Sequence, residues 1–382
     1  MDKVTSDLSS LFDEAKNKSE FDFVLTLLNY RGIGAKELSS NLHEWFEAIE
    51  FYKNLYNTHA GKEKVRIGTL LYSTFFENSD FYNIIGSLCR IKLGFKGSSY
   101  LFWKTRKYER LLGIGEKEDY LTELLEDAGK PNLISFFTDN HYKEIRNSFF
   151  HSAYSLDEDE YILHDSEPII IGGVGHSSFN VKTFLFPKIE NTIILFDAFK
   201  KLYLDSFSSY KNDKEVKGLF PNPSNITIIG SEDGLKGFRI KNAVQFYGKS
   251  HDSGIWYDER FNMWAGHNIT MYFQNLETIE VRDQLKRYES KDDIVKSDSE
   301  FQNLIDKVVE RKDQTEIIRA TQLLVKFGNV RYQKMIAEEN PYKKQSFPKI
   351  ILPYYQRAAE IGSELFDTKT LKERITELEK LK

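Results

Sequence analysis

Residues 142–154 read Tyr-Lys-Glu-Ile-Arg-Asn-Ser-Phe-Phe-His-Ser-Ala-Tyr, and Arg146, Asn147 and His151 within them form a set suited to chemistry at a phosphate ester. Histidine titrates near neutrality and can take or give a proton. Arginine stays charged and offers phosphate two parallel donors. Asparagine can donate to a phosphate oxygen or orient an imidazole. On a helical wheel at about 100° per residue, Ile145, Phe149, Tyr142 and Ala153 fall in one sector and read as the core-facing stripe. Arg146, Asn147 and His151 fall outside it, with Asn147 and His151 one turn apart. The same residues also suit blander roles: capping carbonyls, placing charge near a helix C-terminus, or making a polar contact between copies.

A helix from about Asp139 to Tyr154 must carry this set. The chain before it reads as successive helices. Val4, Leu8, Leu11, Phe12 and Ala15 recur at helical spacing, and Ser19 precedes a segment running to Tyr30. Leu38, Leu42, Trp45, Phe46, Ile49, Tyr52 and Tyr56 repeat at three and four residues, which makes one buried stripe. Further helices are expected over Glu63–Phe76, Asp80–Leu93, Ser99–Leu112 and Lys117–Ala128. The last stops at Gly129 with Pro131 beyond it.

After residue 155 the pattern changes. Tyr161–Leu163, Ile169–Ile171 and Val181–Phe186 read as short strands, and an amphipathic helix follows from Lys188 to about Phe207. Four further short strands are expected at Ile226–Ile229, Phe238–Ile240, Ala243–Tyr247 and Ile269–Phe273. Helices return at Phe301–Val309, Thr315–Ala337, Ile350–Phe366 and Thr368–Leu381. The expected fold is mainly α (α+β). A helical bundle with a β-hairpin insert spans 1–212, a β-containing region 213–290, and a helical region 291–382.

An arginine, a polar residue, three variable residues and a histidine, late in a multi-helix domain, resemble the R-x(4–6)-H motif of the HEPN superfamily. Arg146, Asn147 and His151 are the matching positions. An acidic turn with short strands and a closing helix follows them, so the resemblance covers roughly residues 1–210. It implies metal-independent cleavage of RNA, in which the 2′-hydroxyl attacks the adjacent phosphorus. His151 would be the general acid/base, Arg146 the phosphate clamp and Asn147 the orienting group. In this superfamily two domains pair so that both motifs line one cleft, which implies a homodimer with a composite site and no cofactor. The resemblance further implies a toxin or phage-defence effector, with residues 213–382 serving regulation, trigger sensing or binding of an antitoxin-like partner. A non-catalytic dimeric module that senses a nucleotide or protein is the alternative, since some members bind without cutting.

Other features bound the reading. The 382 residues carry a formal charge of −5, which excludes a strongly basic coat. Charge is concentrated locally: Arg90–Arg110 holds seven basic residues against Glu109, interleaved with Tyr100, Phe102, Trp103 and Tyr108. Lys104, Arg106, Lys107 and Arg110 are therefore candidate RNA contacts; an ordinary helix with wet lysines is the alternative. A second arginine–histidine spacing, Arg260 to His267, lies in strand-like sequence, and chemistry there is a third possibility. His251, Asp252, Asp258, Glu259 and His267 match no familiar metal-ligand pattern and read as loop residues. Gly172, Gly173 and Gly175 lack the lysine and hydroxyl of a phosphate-binding loop and read as a hairpin turn. Cys89 falls on an apolar stripe with Ile84, Ile85 and Leu88, and a single cysteine forms no intrachain disulfide. No apolar run reaches membrane-spanning length, and no apolar leader follows Met1, so a cytoplasmic protein is expected.

Overall fold

A computed structural model describes residues 1–29, 42–95, 112–164, 167–220, 222–269, 281–294, 298–362 and 369–381. Leu38, the helix expected over Ser99–Leu112 with Lys104, Arg106, Lys107 and Arg110, and most of Ile269–Phe273 lie outside them. The chain is mainly helical, with a five-stranded antiparallel sheet in its middle and helices at its C-terminal end. It forms two compact units, one of Met1–Phe102 with Leu121–Asn275 and one of Trp103–Tyr120 with Leu276–Lys382. Among the described residues, no helix is long and apolar enough to cross a membrane.

The first half is built from α1 (Asp2–Lys18), α2 (Glu20–Leu28), α3 (Leu42–Thr58), α4 (Gly61–Glu77), α5 (Ser79–Lys92), α6 (Ile114–Asp127), α7 (Pro131–Asn140), α8 (Lys143–Phe150) and α9 (Phe186–Ser208). The spacing that predicts α1 is the spacing it buries: Leu8, Leu11, Phe12 and Ala15. The α3 stripe likewise buries Leu42, Trp45, Phe46, Ile49 and Tyr56. Trp45 is the hub, with its ring 5.6 Å from Phe75, 5.9 Å from Phe81 and 5.3 Å from Phe196. The Phe196 contact is edge-on and the other two are tilted, and aromatic pairs so arranged contribute beyond the area they bury. Cys89 is fully buried on α5. Pro131 does not merely end α6. It is the first residue of α7, where a missing N–H costs nothing.

Two small sheets follow α8. One has the order β1 (Tyr154–Asp157), β2 (Glu160–Leu163), β5 (Ser178–Asn180); the other pairs β3 (Ile169–Ile171) with β4 (Val174–His176). Gly172 and Gly173 join β3 to β4 with φ of +59° and +84°, both left-handed, as a type I′ hairpin turn requires. The strand expected at Val181–Phe186 is instead a π-helical turn, Val181–Leu185, leading into α9. Asn180 decides this: its Oδ1 accepts from the Thr183 N–H at 3.0 Å and starts the helix.

The five-stranded sheet is a meander of β6 (Lys214–Phe220), β7 (Asn222–Ser231), β8 (Gly234–Phe246), β9 (Lys249–Asp258) and β10 (Met263–His267). The two strands expected at Phe238–Ile240 and Ala243–Tyr247 are one strand, β8, with a register shift between Ile240 and Val244. Strands β6, β9 and β10 carry too many polar residues and glycines to show alternation. His251, Asp252, Asp258 and His267 therefore lie on strands rather than loops, with Glu259 in the β9–β10 turn. Phe238 meets Phe21 of α2 edge-on at 5.0 Å, which seats the sheet on the helices of the same unit.

The second unit contains helical residues 281–289 (α10), α11 (Asp298–Arg311), α12 (Gln314–Ala337), α13 (Pro341–Lys344), α14 (Phe347–Ile361) and α15 (Lys369–Lys380). Its core joins Tyr288, Phe301, Phe327 and Tyr354. Buried Glu316 accepts from Arg282 Nε at 3.1 Å and Arg311 Nε at 2.9 Å, so this carboxylate is paired where it leaves water.

Gly237 tests the sheet. Its φ is +125°, and a Cβ there would stand 2.1 Å from the carbonyl oxygen of Ile255 on β9. Gly237→Ala is expected to destabilise the protein by at least about 1–3 kcal/mol from backbone strain alone, measured as a lowered urea midpoint.

Candidate active site

The helix expected from Asp139 to Tyr154 is broken at both ends, and the breaks place the candidate residues. At the start, Tyr142 is extended (φ −128°, ψ 107°), separating α7 from α8. Tyr72 of α4 bridges the gap. Its hydroxyl donates to the Asn140 carbonyl at 2.7 Å and accepts from the Tyr142 N–H at 2.7 Å. At the end, Ser152 adopts φ +55°. The Ser152 N–H then reaches the Phe149 carbonyl at 3.1 Å and the Ala153 N–H reaches the Ser148 carbonyl at 2.8 Å. This is a Schellman closure, made here by serine in the position glycine usually takes. Tyr154 accordingly belongs to β1, and His151 is the C-terminal cap of α8.

One column of rings fixes the helix laterally. Phe149 lies on Tyr154 at 5.7 Å, Tyr154 on Tyr161 at 4.9 Å, and Tyr161 on Phe179 at 4.9 Å. Phe179 meets Phe184 at 5.1 Å, and Phe184 meets Tyr142 at 5.2 Å. The column thus leaves α8 at its last turn and returns at its first. The Tyr161 hydroxyl shares a hydrogen bond with Ser148 Oγ at 3.1 Å. Burial pushes the Tyr161 phenol up, so it stays neutral. The core stripe expected from the wheel is narrower than predicted: Ile145 and Ser148 are buried, while Tyr142, Phe149 and Ala153 are half-buried.

Arg146 faces α4. Its Nε donates to Glu77 Oε1 at 2.5 Å, its Nη2 pairs with the same carboxylate, and its Nη1 donates to Asn147 Oδ1 at 3.0 Å. The guanidinium also lies 5.3 Å from the centre of the Phe150 ring. Asn147 therefore orients the arginine and not the imidazole. His151 is exposed, and among the described residues its ring makes no hydrogen bond. His151 and Asn147 share a cleft of about 340 Å³ with Lys143, Glu144, Ser148, Ala153 and Glu167. Lys143 Nζ donates to Glu167 at 2.8 Å, and this contact lifts the lysine and lowers the carboxyl relative to their ordinary values. The structure brings His151 and Asn147 into one cleft, while Arg146 does not line it and pairs with Glu77 of α4.

Glu77, Tyr72 and Glu167 carry no signal in the motif, since Glu77 stands 69 residues from its partner Arg146. Glu144 did carry one: it falls about 20° from His151 on the wheel. The second arginine–histidine spacing is otherwise engaged. Arg260 Nη2 meets Asp258 Oδ2 at 2.7 Å, and the arginine's hydrogen bonds hold the Asp258 carboxyl down at about 2. His267 stacks on Trp256 at 3.7 Å, and burial pushes its imidazole down. Among the described residues, no group of three or more metal-ligating side chains could hold an ion.

No family model, curated protein or solved structure matches this chain.

The bridge between α7 and α8 is testable. Tyr72→Phe removes one oxygen and strips two enclosed backbone groups of their partner. The expected loss is about 2–6 kcal/mol, at 1–3 kcal/mol for each unsatisfied group, read from denaturant unfolding.

Proposed function

We propose that this protein is a metal-independent endoribonuclease of the HEPN type, with His151 as general acid/base at the C-terminal end of α8. The observation that carries this reading is the uncommitted, exposed imidazole of His151 sharing a cleft with Asn147, which lies one turn before it and next to Arg146. Such an imidazole can exchange protons with a nucleotide entering the cleft. Arg146 reaches a phosphate in this reading by exchanging the Glu77 carboxylate for a phosphate, since both present two anionic oxygens to its donor fork. The second proton carrier comes from a second copy in a composite site, or from elsewhere in the same chain. A toxin or phage-defence effector acting on RNA is the role that follows. Candidate regulators are residues 213–382 and a partner protein.

The pairing of Arg146 with Glu77 and Asn147 favours a second reading, a non-catalytic HEPN module that binds a nucleotide or protein. In that case Arg146 is a structural tie between α4 and α8.

Purified protein incubated with total RNA and tRNA in EDTA separates the two. The expected result is cleavage leaving 2′,3′-cyclic phosphate ends, abolished in folded Arg146→Ala and His151→Ala. Expression of the wild type should arrest growth, and His151→Ala should relieve it. Variants that cut as well as wild type would remove the ribonuclease reading and leave the binding module.

A further inference from the structure

Resting on the ribonuclease reading of the α8 cleft, we infer that Glu144 is its second proton carrier, so that one chain holds a complete acid–base pair. Glu144 and His151 line the same cleft, with Asn147 and Ser148 between them. Seven residues of helix separate them by about 10 Å along the axis and about 20° around it. Both side chains line one cleft, and this spacing along the helix leaves room for a phosphodiester to lie between them.

The state of Glu144 sets it apart from the other carboxylates near α8. Its side chain is only 12% exposed, and its ion pair with Lys143 is long, at 4.0 Å. No hydrogen bond holds it among the described residues, and Lys143 has a closer partner in Glu167 at 2.8 Å. Glu77, by contrast, is committed to Arg146. An enclosed carboxylate without a strong partner keeps acceptor capacity that a ligand hydroxyl can fill. The charged and titratable groups around it are Lys143 and His151 on α8, Glu167 across the cleft, Tyr142 and Asp139 at the α7–α8 junction, and the Arg146–Glu77 pair toward α4.

The step balances within one chain. The 2′-oxygen bonds to phosphorus as Glu144 takes its proton. The bond from phosphorus to the 5′-oxygen breaks as the His151 imidazolium gives that oxygen a proton. The products are a 2′,3′-cyclic phosphate and a 5′-hydroxyl, with no change of oxidation state. Proton transfer returns Glu144 and His151 to their starting forms through solvent. Lys143 is the cation among the residues that line the cleft.

The test is kcat and KM against pH for full-length wild type, Glu144→Gln, Glu144→Asp and His151→Ala, each checked for its circular dichroism and melting temperature. A positioned acid or base is worth about 10²–10⁴-fold. Glu144→Gln should therefore lose at least about 100-fold in kcat, with little change in KM, and should lose the acidic limb of the pH profile. Glu144→Asp should keep that limb at reduced rate. Wild-type specific activity should not change on dilution. Glu144→Gln cutting at close to the wild-type rate, or activity that falls with dilution and keeps both pH limbs in Glu144→Gln, overturns the inference and returns the second carrier to another copy. A wild type that cuts no RNA, beside an equally silent His151→Ala, overturns the ribonuclease reading itself and this inference with it.

Discussion

The column of rings from Phe149 through Tyr154, Tyr161, Phe179 and Phe184 to Tyr142 is the contact on which the geometry of α8 depends. A helix of eight residues is too short to be stable by itself. It persists because its first and last turns are both held by one stack, and because the Ser148–Tyr161 hydrogen bond pins its middle. The three-stranded sheet β1-β2-β5 serves as the rack for that stack: Tyr161 pairs directly with Phe179, and Tyr154 lies diagonally beside them. The hairpin region after α8 is thus a mechanical support for the helix as well as an addition to it.

That support fixes which side chains can act together. With Ile145 and Ser148 turned inward, Arg146 must point toward α4, and Glu77 is there to receive it. The pair is about one-third exposed on each side, so it contributes modestly to stability and can be exchanged for another anion. The cleft is a different electrostatic environment, with Glu144, Glu167 and Lys143 around His151. The motif that reads as one unit along the chain is therefore two neighbouring arrangements in space. One is a cation locked to a carboxylate; the other is an imidazole free in a polar cleft. Release of Arg146 from Glu77 is the natural point at which a ligand or partner could couple them.

Much of the helical framework was legible in the residues. Apolar repeats marked α1, α3 and α9, because a single buried stripe leaves that period in any amphipathic helix, and the ranges expected for α4, α5, α11, α12 and α15 agree with the structure to within a few residues. The sheet was less legible. β6, β9 and β10 are held by main-chain pairing to their neighbours, with Gly254 of β9 at positive φ, and neither feature leaves an alternating pattern. The ends of α8 were missed because Tyr142 and Ser152 are ordinary helix residues by type. What stops the helix is a hydroxyl from Tyr72, 70 residues away, and a serine forced into the left-handed region.

By itself, then, the sequence determined that the protein is mainly helical, that one short segment holds an arginine, an asparagine and a histidine, and that Asn147 and His151 share a face. Those properties are local, since they follow from residue type and from the pitch of a helix. Only the tertiary structure decided that Arg146 is held by Glu77, that Asn147 serves the arginine rather than the histidine, and that Glu167 closes the cleft around His151 and Glu144. Each of these depends on which distant element packs against α8. Periodicity cannot encode that choice, because it reports which face of a helix is buried and not what is buried against it.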